Sequence, residues 1–256
     1  MAQYSQPSIE AVLLDIEGTT SSIAFVYNEL FPYVRAHLEA FLKENWDAPA
    51  VIDAREQIAR DGGATDFAAW TSHAKREGAC QTLLNHLRSL MDADSKSTGL
   101  KNLQGQISRA GYLSGALRSH VYPDVHVALQ RWKTFGWRSY IFSSGSIAAQ
   151  KQFFEHTVAG NLLPYFSGHF DTTTGPKREI ESYRKIAAGI GRPPQNILFV
   201  SDVLAELDAA LAAGFQTALA LRPGNAPVNP GHCHPPIHSF DAIDDRQTGL
   251  RYNSAI

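Results

Sequence analysis

The stretch Ile9–Ser22, I-E-A-V-L-L-D-I-E-G-T-T-S-S, restricts the fold of this chain more than any other. Ala11–Leu14 is a short apolar run between polar residues, the pattern of a strand buried on both faces of a parallel sheet. Asp15 and Glu17 follow at once, so two carboxyl groups project where the strand ends. Gly18, Thr19 and Thr20 then suit a tight turn. In open α/β sheets ligands gather beyond the carboxyl ends of strands. A strand ending in D-x-E-G-T-T therefore offers a nucleophile or metal ligand at Asp15 and a second carboxylate at Glu17. A lone D-x-E serves equally as a cap or a solvated loop, so the rest of the chain has to decide.

The pattern changes after this strand. From Phe25 to about Ser119 apolar residues recur at helical spacing, as in Val26, Leu30, Val34, Leu38 and Phe41, and again in Leu83, Leu84, Leu87, Leu90 and Met91. Shorter helices are predicted over Val51–Arg60 and Asp66–Arg76, and a further one over Leu100–Arg109, ended by Gly111. From Tyr122 onward helix and strand alternate. Helices are predicted at Asp124–Phe135, Ile147–His156, Arg178–Ile190 and Leu204–Ala213. Strands are predicted at Ser139–Phe142, Gly168–Phe170, Ile197–Val200 and Thr217–Leu221. This rhythm implies a doubly wound parallel α/β sheet covered on both faces. Its first strand lies before the helical block, so the organisation is a core of residues 1–22 and 120–256 with a helical cap inserted at 23–119, placed to act as a lid over the strand ends.

Composition narrows the class. A formal net charge of −2 in 256 residues gives no electrostatic reason for a nucleic acid or an anionic membrane as partner. No run approaches the roughly 18 apolar residues of a membrane span. The start, M-A-Q-Y-S-Q-P-S-I-E, lacks the basic and apolar regions of a signal peptide. Cys80 and Cys233 are far apart, which argues against a disulfide framework. A cytoplasmic protein is expected.

Each core strand ends in a polar or reactive group: Asp15-x-Glu17-x-Thr19; Ser143-Ser144-Gly145-Ser146 before a helix; Gly175-Pro176-Lys177 before another; and Ser201-Asp202, with Glu206 one helical turn on. In a doubly wound sheet these ends converge on one crevice. Small hydroxyls at a helix start, a lysine and several carboxylates are the parts of a phosphoryl-transfer site. Glu206 reads equally as a supporting carboxylate or an exposed helix residue, while Asp202 reads as a ligand that can also serve as a helix cap. His232, Cys233, His234 and His238 lie in a Pro-rich tail without a second Cys pair, and read as a solvated loop rather than metal ligands.

The order D-x-[D/E]-x-T, S-S-G, Lys, S-D resembles the haloacid-dehalogenase-like hydrolases. Glu17, where an ordinary member has Asp, narrows the resemblance to the enolase-phosphatases of methionine salvage. So do L-F-P-Y (Leu30–Tyr33), L-Q-G (Leu103–Gly105), F-S-S-G-S (Phe142–Ser146), G-H-F-D-T (Gly168–Thr172), E-S-Y-R-K-I (Glu181–Ile186) and R-P-G-N-A (Arg222–Ala226). The resemblance spans nearly the whole chain. It implies one Mg²⁺ per subunit, held by Asp15, Glu17 (through its backbone carbonyl) and Asp202, and substrate contacts from Ser143, Ser144 and Lys177. It implies that Asp15 attacks phosphorus to form an aspartyl phosphate, that Glu17 shuttles the proton, and that Lys177 balances charge. The implied substrate is 2,3-diketo-5-methylthiopentyl-1-phosphate, which is enolised and then dephosphorylated to the acireductone 1,2-dihydroxy-3-keto-5-methylthiopentene. A monomer is expected. Two other readings remain open: a Mg²⁺-dependent phosphatase of the same superfamily acting on another small phosphate ester, and a phosphate-binding protein without catalysis.

Overall fold

A computed structural model describes residues 8–95 and 97–244. Most of the N-terminal segment read for a signal peptide, and the end of the tail, lie outside the described residues. The chain forms two compact units. One holds the described residues up to Val26 and from Arg118 on; the other is Tyr27–Leu117.

Strand β1 (Ala11–Leu14) is fully buried and leads through the D-x-E-G-T-T loop into a single turn, α1 (Ile23–Phe25). Phe25 meets Phe153 edge-on at 5.9 Å, and the Ser119 amide donates to the His156 carbonyl. Residues 23–26 and 118–119 therefore belong with the sheet rather than with the insert.

The second unit is helical. A π-helical turn, Val26–Leu30, runs into α2 (Phe31–Asn45), followed by α3 (Pro49–Asp61), α4 (Phe67–Trp70), α5 (Arg76–Asp92) and α6 (Thr98–Ser114). Val34, Leu38 and Leu42 of α2, Ala54 and Ile58 of α3, Leu83, Leu84 and Leu87 of α5 and Leu103 and Ile107 of α6 form its core. Gly99 lets α6 close on α3: a Cβ there would come within 2.7 Å of the Ala54 carbonyl oxygen. The helix predicted over Asp66–Arg76 is one turn only. The Thr71 hydroxyl bonds back to the Phe67 carbonyl, and Ser72 and His73 take positive φ. The predicted stop at Gly111 is also corrected. That glycine lies under Tyr33, and α6 runs on to a left-handed Gly115.

The remainder alternates: α7 (Pro123–Thr134), β2 (Arg138–Phe142), α8 (Ile147–Glu155), β3 (Phe166–Phe170), α9 (Ile180–Ile190), β4 (Ile197–Ser201), α10 (Leu204–Ala212), β5 (Gln216–Ala220) and β6 (Pro236–Ile237). The sheet order is β3-β2-β1-β4-β5-β6, with every neighbouring pair parallel. One face, formed by Ala11, Leu13, Tyr140, Phe142, Ile197 and Phe199, packs on Tyr183 and Ile186 of α9 and Leu207 and Ala210 of α10. Alternation sends Val12, Leu14, Ile141 and Val200 to the opposite face, and all four are buried. The strand order reverses between β1 and β4, where a doubly wound sheet opens its crevice.

Candidate active site

The site is organised by the pairing of β1 with β4. Leu14 stands opposite Val200, and the Asp15 amide donates to the Val200 carbonyl, so Asp15 leaves the sheet level with Ser201. Asp15 is 4 % exposed. Its Oδ1 accepts from the Ile16 amide at 2.8 Å and from Lys177 Nζ at 2.7 Å. The same ammonium lies 2.6 Å from Glu206 Oε2. Ser201 Oγ sits 3.1 Å from Glu206 Oε2 and 3.4 Å from Asp15 Oδ2, and accepts the Val203 amide at the start of α10. One cation thus ties the end of β1 to the first turn of α10, and Ser201 at the end of β4 bridges the same two carboxylates.

Lys177 is delivered by a tight turn. Gly175 has φ +152°, and any Cβ there would collide with Ser182 Oγ, which donates to the Pro176 carbonyl at 2.7 Å. The buried Tyr183 hydroxyl donates to the Lys177 carbonyl, also at 2.7 Å. Burial acts to lower the Lys177 pKa. The charges and hydrogen bonds of Asp15 and Glu206 outweigh it, so the ammonium is held above its ordinary range.

Asp202 follows directly after β4. The N-cap of α10 is Val203, whose amide is taken by Ser201 Oγ, and the Asp202 carboxylate makes no cap hydrogen bond to the helix. It packs on Gly18 instead. Gly18 has φ +70°, and a Cβ on it would overlap Asp202 Oδ2. Burial first, and then the negative charge of Asp15, raise the Asp202 carboxyl to about 6, with Glu17 adding to the rise. The same two causes, in the same order, raise Glu206 to about 7. Glu17 is half-buried on the loop, bridged to Ser21.

At the end of β2, Ser143 is buried and its Oγ accepts the Gly145 amide at 3.2 Å, which leaves the hydroxyl proton to donate. Phe142, one residue earlier, presents its ring 5.8 Å from Lys177 Nζ. Ser144 is exposed. The expected row of free amides at the start of α8 is partly spent. The Ile147 amide donates to Asp171 Oδ2 and the Ala149 amide to Ser146 Oγ. Asp171 is buried and also accepts the Thr173 amide and hydroxyl. Burial pushes its carboxyl up, and these hydrogen bonds more than offset that, so it stays below the usual range.

The structure therefore brings Asp15, Lys177 and Asp202 into one cluster with Ser143 alongside. It adds three side chains that sequence reasoning left undecided or missed. Glu206, on the face of α10 turned inward, shares Lys177. Arg222, 7 % exposed, donates from Nε to the Thr19 carbonyl at 3.0 Å and pairs with Asp124 at 2.8 Å. Asn225 donates to the Gly18 carbonyl at 2.9 Å. The R-P-G-N-A string was the only sequence signal for the last two. The tail is also less solvated than expected: His234 is buried between Thr217 and Asp208, at 2.8 Å and 3.0 Å.

Among the described residues no three His, Cys, Asp or Glu side chains converge as a metal cage. The donor set that is present still fits a hard divalent cation. Two carboxylates, Asp15 and Asp202, face each other closely enough to raise the Asp202 pKa, and main-chain carbonyls and water can complete an oxygen shell around Mg²⁺.

Residues 9–214 match the family model of the haloacid dehalogenase-like hydrolases. The chain is 46% identical over 239 residues to enolase-phosphatase E1 of Synechococcus elongatus, covering 92% of this chain and 98% of that protein. It is 44% identical over 238 residues to enolase-phosphatase E1 of Drosophila mojavensis, covering 92% and 95%. The crystal structure of the UTR4 protein of Saccharomyces cerevisiae superposes with a TM-score of 0.73 at 33% identity, covering 91% of this chain and 99% of that one. The chain belongs to the haloacid dehalogenase-like hydrolases and, among them, to the enolase-phosphatase E1 family.

Proposed function

We propose that this enzyme enolises 2,3-diketo-5-methylthiopentyl-1-phosphate and then hydrolyses its phosphate ester, giving the acireductone of methionine salvage. The observation that carries the reading is the 2.7 Å contact between Asp15 and Lys177 at the β1/β4 reversal, with Asp202 packed on the Asp15 loop, in a chain so similar to enolase-phosphatases E1.

In the dephosphorylation half, an Asp15 carboxylate oxygen attacks phosphorus and the ester oxygen leaves. Glu17 protonates that oxygen, then accepts a proton from the water that cleaves the aspartyl phosphate. Lys177 and the Ser143 hydroxyl hold non-bridging phosphate oxygens, with Ser144 at the solvent side of the same turn. The Asp15 and Asp202 carboxylates and the Glu17 main-chain carbonyl would hold Mg²⁺, which would supply the positive charge that lets an anionic nucleophile approach an anionic ester. Glu206 keeps Lys177 in place. In the enolisation half, Glu17 removes the proton next to the carbonyl and the Lys177 ammonium steadies the enolate. We read the helical unit Tyr27–Leu117 as an inserted cap domain.

Both cysteines are free, which fits a reducing compartment, and we read the protein as a cytoplasmic monomer. Among the described residues no helix is long and apolar enough to cross a membrane.

Incubation with the diketone phosphate and Mg²⁺ tests the assignment. A transient enol absorbance followed by free phosphate is expected, and Asp15→Asn should lose the phosphate release. Phosphate release with no enol would reduce the protein to a simple phosphatase. In Glu17→Gln, full enolisation with lost dephosphorylation would remove Glu17 from the first step.

A further inference from the structure

Asn225 presents its amide in a way that only one orientation explains. Its Nδ2 donates to the Gly18 carbonyl at 2.9 Å and to the Ala220 carbonyl at 3.1 Å. Two acceptors fix the amide nitrogen on that side, because a flipped amide would face oxygen to oxygen twice. The Oδ1 atom must then point the other way. It is buried and has no protein donor among the described residues. Its direction is known: it lies 3.0 Å from the point where a Cβ on Gly18 would sit, and Asp202 Oδ2 is closer still to the same point. Two oxygen acceptors, one of them the proposed cation ligand, thus converge beside the loop that carries Asp15 and Glu17. A buried carbonyl oxygen without a donor is destabilising, and a hydrogen bond to water removes that cost.

The segment that brings Asn225 here is a hydrogen-bonded turn. Its amide donates to the Arg222 carbonyl at 3.1 Å across a turn whose Gly224 has φ +89°. Arg222 holds the next carbonyl of the same loop, that of Thr19. Side chains at the two ends of one turn therefore grip successive carbonyls, Gly18 and Thr19, of the nucleophile loop.

We propose that Asn225 is a positioning residue for the cation. Its nitrogen fixes the loop, and its carbonyl oxygen accepts a hydrogen bond from a cation-bound water on the Asp202 side. This rests on the reading of Asp15 and Asp202 as Mg²⁺ ligands. Partners that orient what a metal holds are typically worth 10–100-fold in metal affinity. Asn225→Leu keeps the approximate shape and removes both functions. Asn225→Asp keeps an acceptor oxygen and gives up the donor.

Calorimetric titration of the full chain with MgCl₂ alone reads the idea without turnover. Wild type binds, Asp202→Asn loses binding, Asn225→Leu binds about 10–100-fold more weakly, and Asn225→Asp recovers most of that affinity although it lacks the grip on Gly18. Wild-type affinity in Asn225→Leu, or equal weakening in Asn225→Leu and Asn225→Asp, overturns the proposal. Unchanged binding in Asp202→Asn overturns the cation-site reading beneath it, and is told apart because that arm leaves Asn225 intact. Thermal melting in EDTA establishes that each variant folds, and Asn225→Ala replaces Asn225→Leu if that one does not.

Discussion

Lys177 Nζ lies 2.7 Å from Asp15 Oδ1, so the attacking carboxylate is held by a buried ammonium that also serves Glu206. The side chains of all three are at most 11% exposed. Lys177→Met leaves two carboxylates crowded in a dry site. Removing one partner of a buried ion pair typically costs about 3–5 kcal/mol. The variant is expected to unfold at markedly lower urea at pH 8 and to release no phosphate. Adding Glu206→Gln removes one of the stranded charges, so the double variant should regain part of the stability and none of the activity. Equal stability of wild type and Lys177→Met would show that the cluster is not an energetic unit.

The raised carboxyl groups predict a proton-coupled metal site. Asp202 titrates near 6 and Glu206 near 7, against ordinary values of 3.8 and 4.5. The folded protein therefore binds more protons than the unfolded chain between those limits. The metal-free protein should lose stability as pH rises from about 4 toward 7, and Mg²⁺ should restore it. The same linkage makes Mg²⁺ uptake release protons near pH 6 and almost none at pH 8. Titration calorimetry in two buffers of different ionisation enthalpy measures this directly. Release that does not change with pH would mean that the cation does not see Asp202.

Gly18→Ala tests the close approach of Asp202 to the loop. A methyl group there needs an unfavourable φ and the space the Asp202 carboxylate occupies. The backbone term alone costs about 1–2 kcal/mol. Displacing Asp202 should weaken Mg²⁺ binding far more than that stability loss suggests. A variant with lowered melting temperature and unchanged Mg²⁺ affinity would contradict the packing.

Much of this was legible in the chain because strand ends in a parallel sheet announce themselves. Apolar runs at Ala11–Leu14 and Ile197–Val200 stop at Asp15 and at Ser201-Asp202, and parallel pairing of Leu14 with Val200 makes those stops neighbours. What was hidden depends on distance in three dimensions. The period of α10 alone cannot say whether Glu206 faces water or Lys177. Nor does the Pro- and His-rich tail show that Arg222 is enclosed between the rings of Tyr122 and Phe240, 4.6 Å and 4.5 Å away. The early end of α4 was missed because Thr71 competes for helix carbonyls through its side chain, a local choice that apolar spacing does not record.

His169 carries a second pH effect, away from the carboxylates. Burial lowers its pKa to about 4 from 6.5. Gln150 Nε2 donates to the Gly145 and Phe170 carbonyls, so Gln150 Oε1 must accept, and His169 Nδ1 carries the proton that it receives at 3.2 Å. The unfolded chain gains a proton below pH 6.5 that the folded one refuses until about 4. Stability from this group is thus complete above 6.5 and lost as pH falls. Replacing it with neutral glutamine, His169→Gln, should remove this loss, so the melting temperature at pH 5 relative to pH 7 should be higher in the variant than in wild type. An unchanged slope would mean that His169 titrates normally.

Arg222 links the loop bearing Asp15 to the end of the fold. Its Nη1 pairs with Asp124 at 2.8 Å and donates to the His238 carbonyl at 3.0 Å, while Nε holds Thr19. Asp124 in turn accepts the Phe240 amide at 2.6 Å. A guanidinium can serve these directions at once because its donors are fixed in one plane, and an ammonium cannot. Arg222→Lys keeps the charge, so Asp124 stays neutralised, but the Thr19 carbonyl loses its donor. Arg222→Met strands Asp124 as well and should cost about 3–5 kcal/mol. Urea unfolding should rank Arg222→Met below Arg222→Lys, and phosphate release should fall in both, because both free the loop. If Arg222→Lys turned over substrate at the wild-type rate, the grip on Thr19 would be a matter of folding alone and not of how Asp15 is aimed.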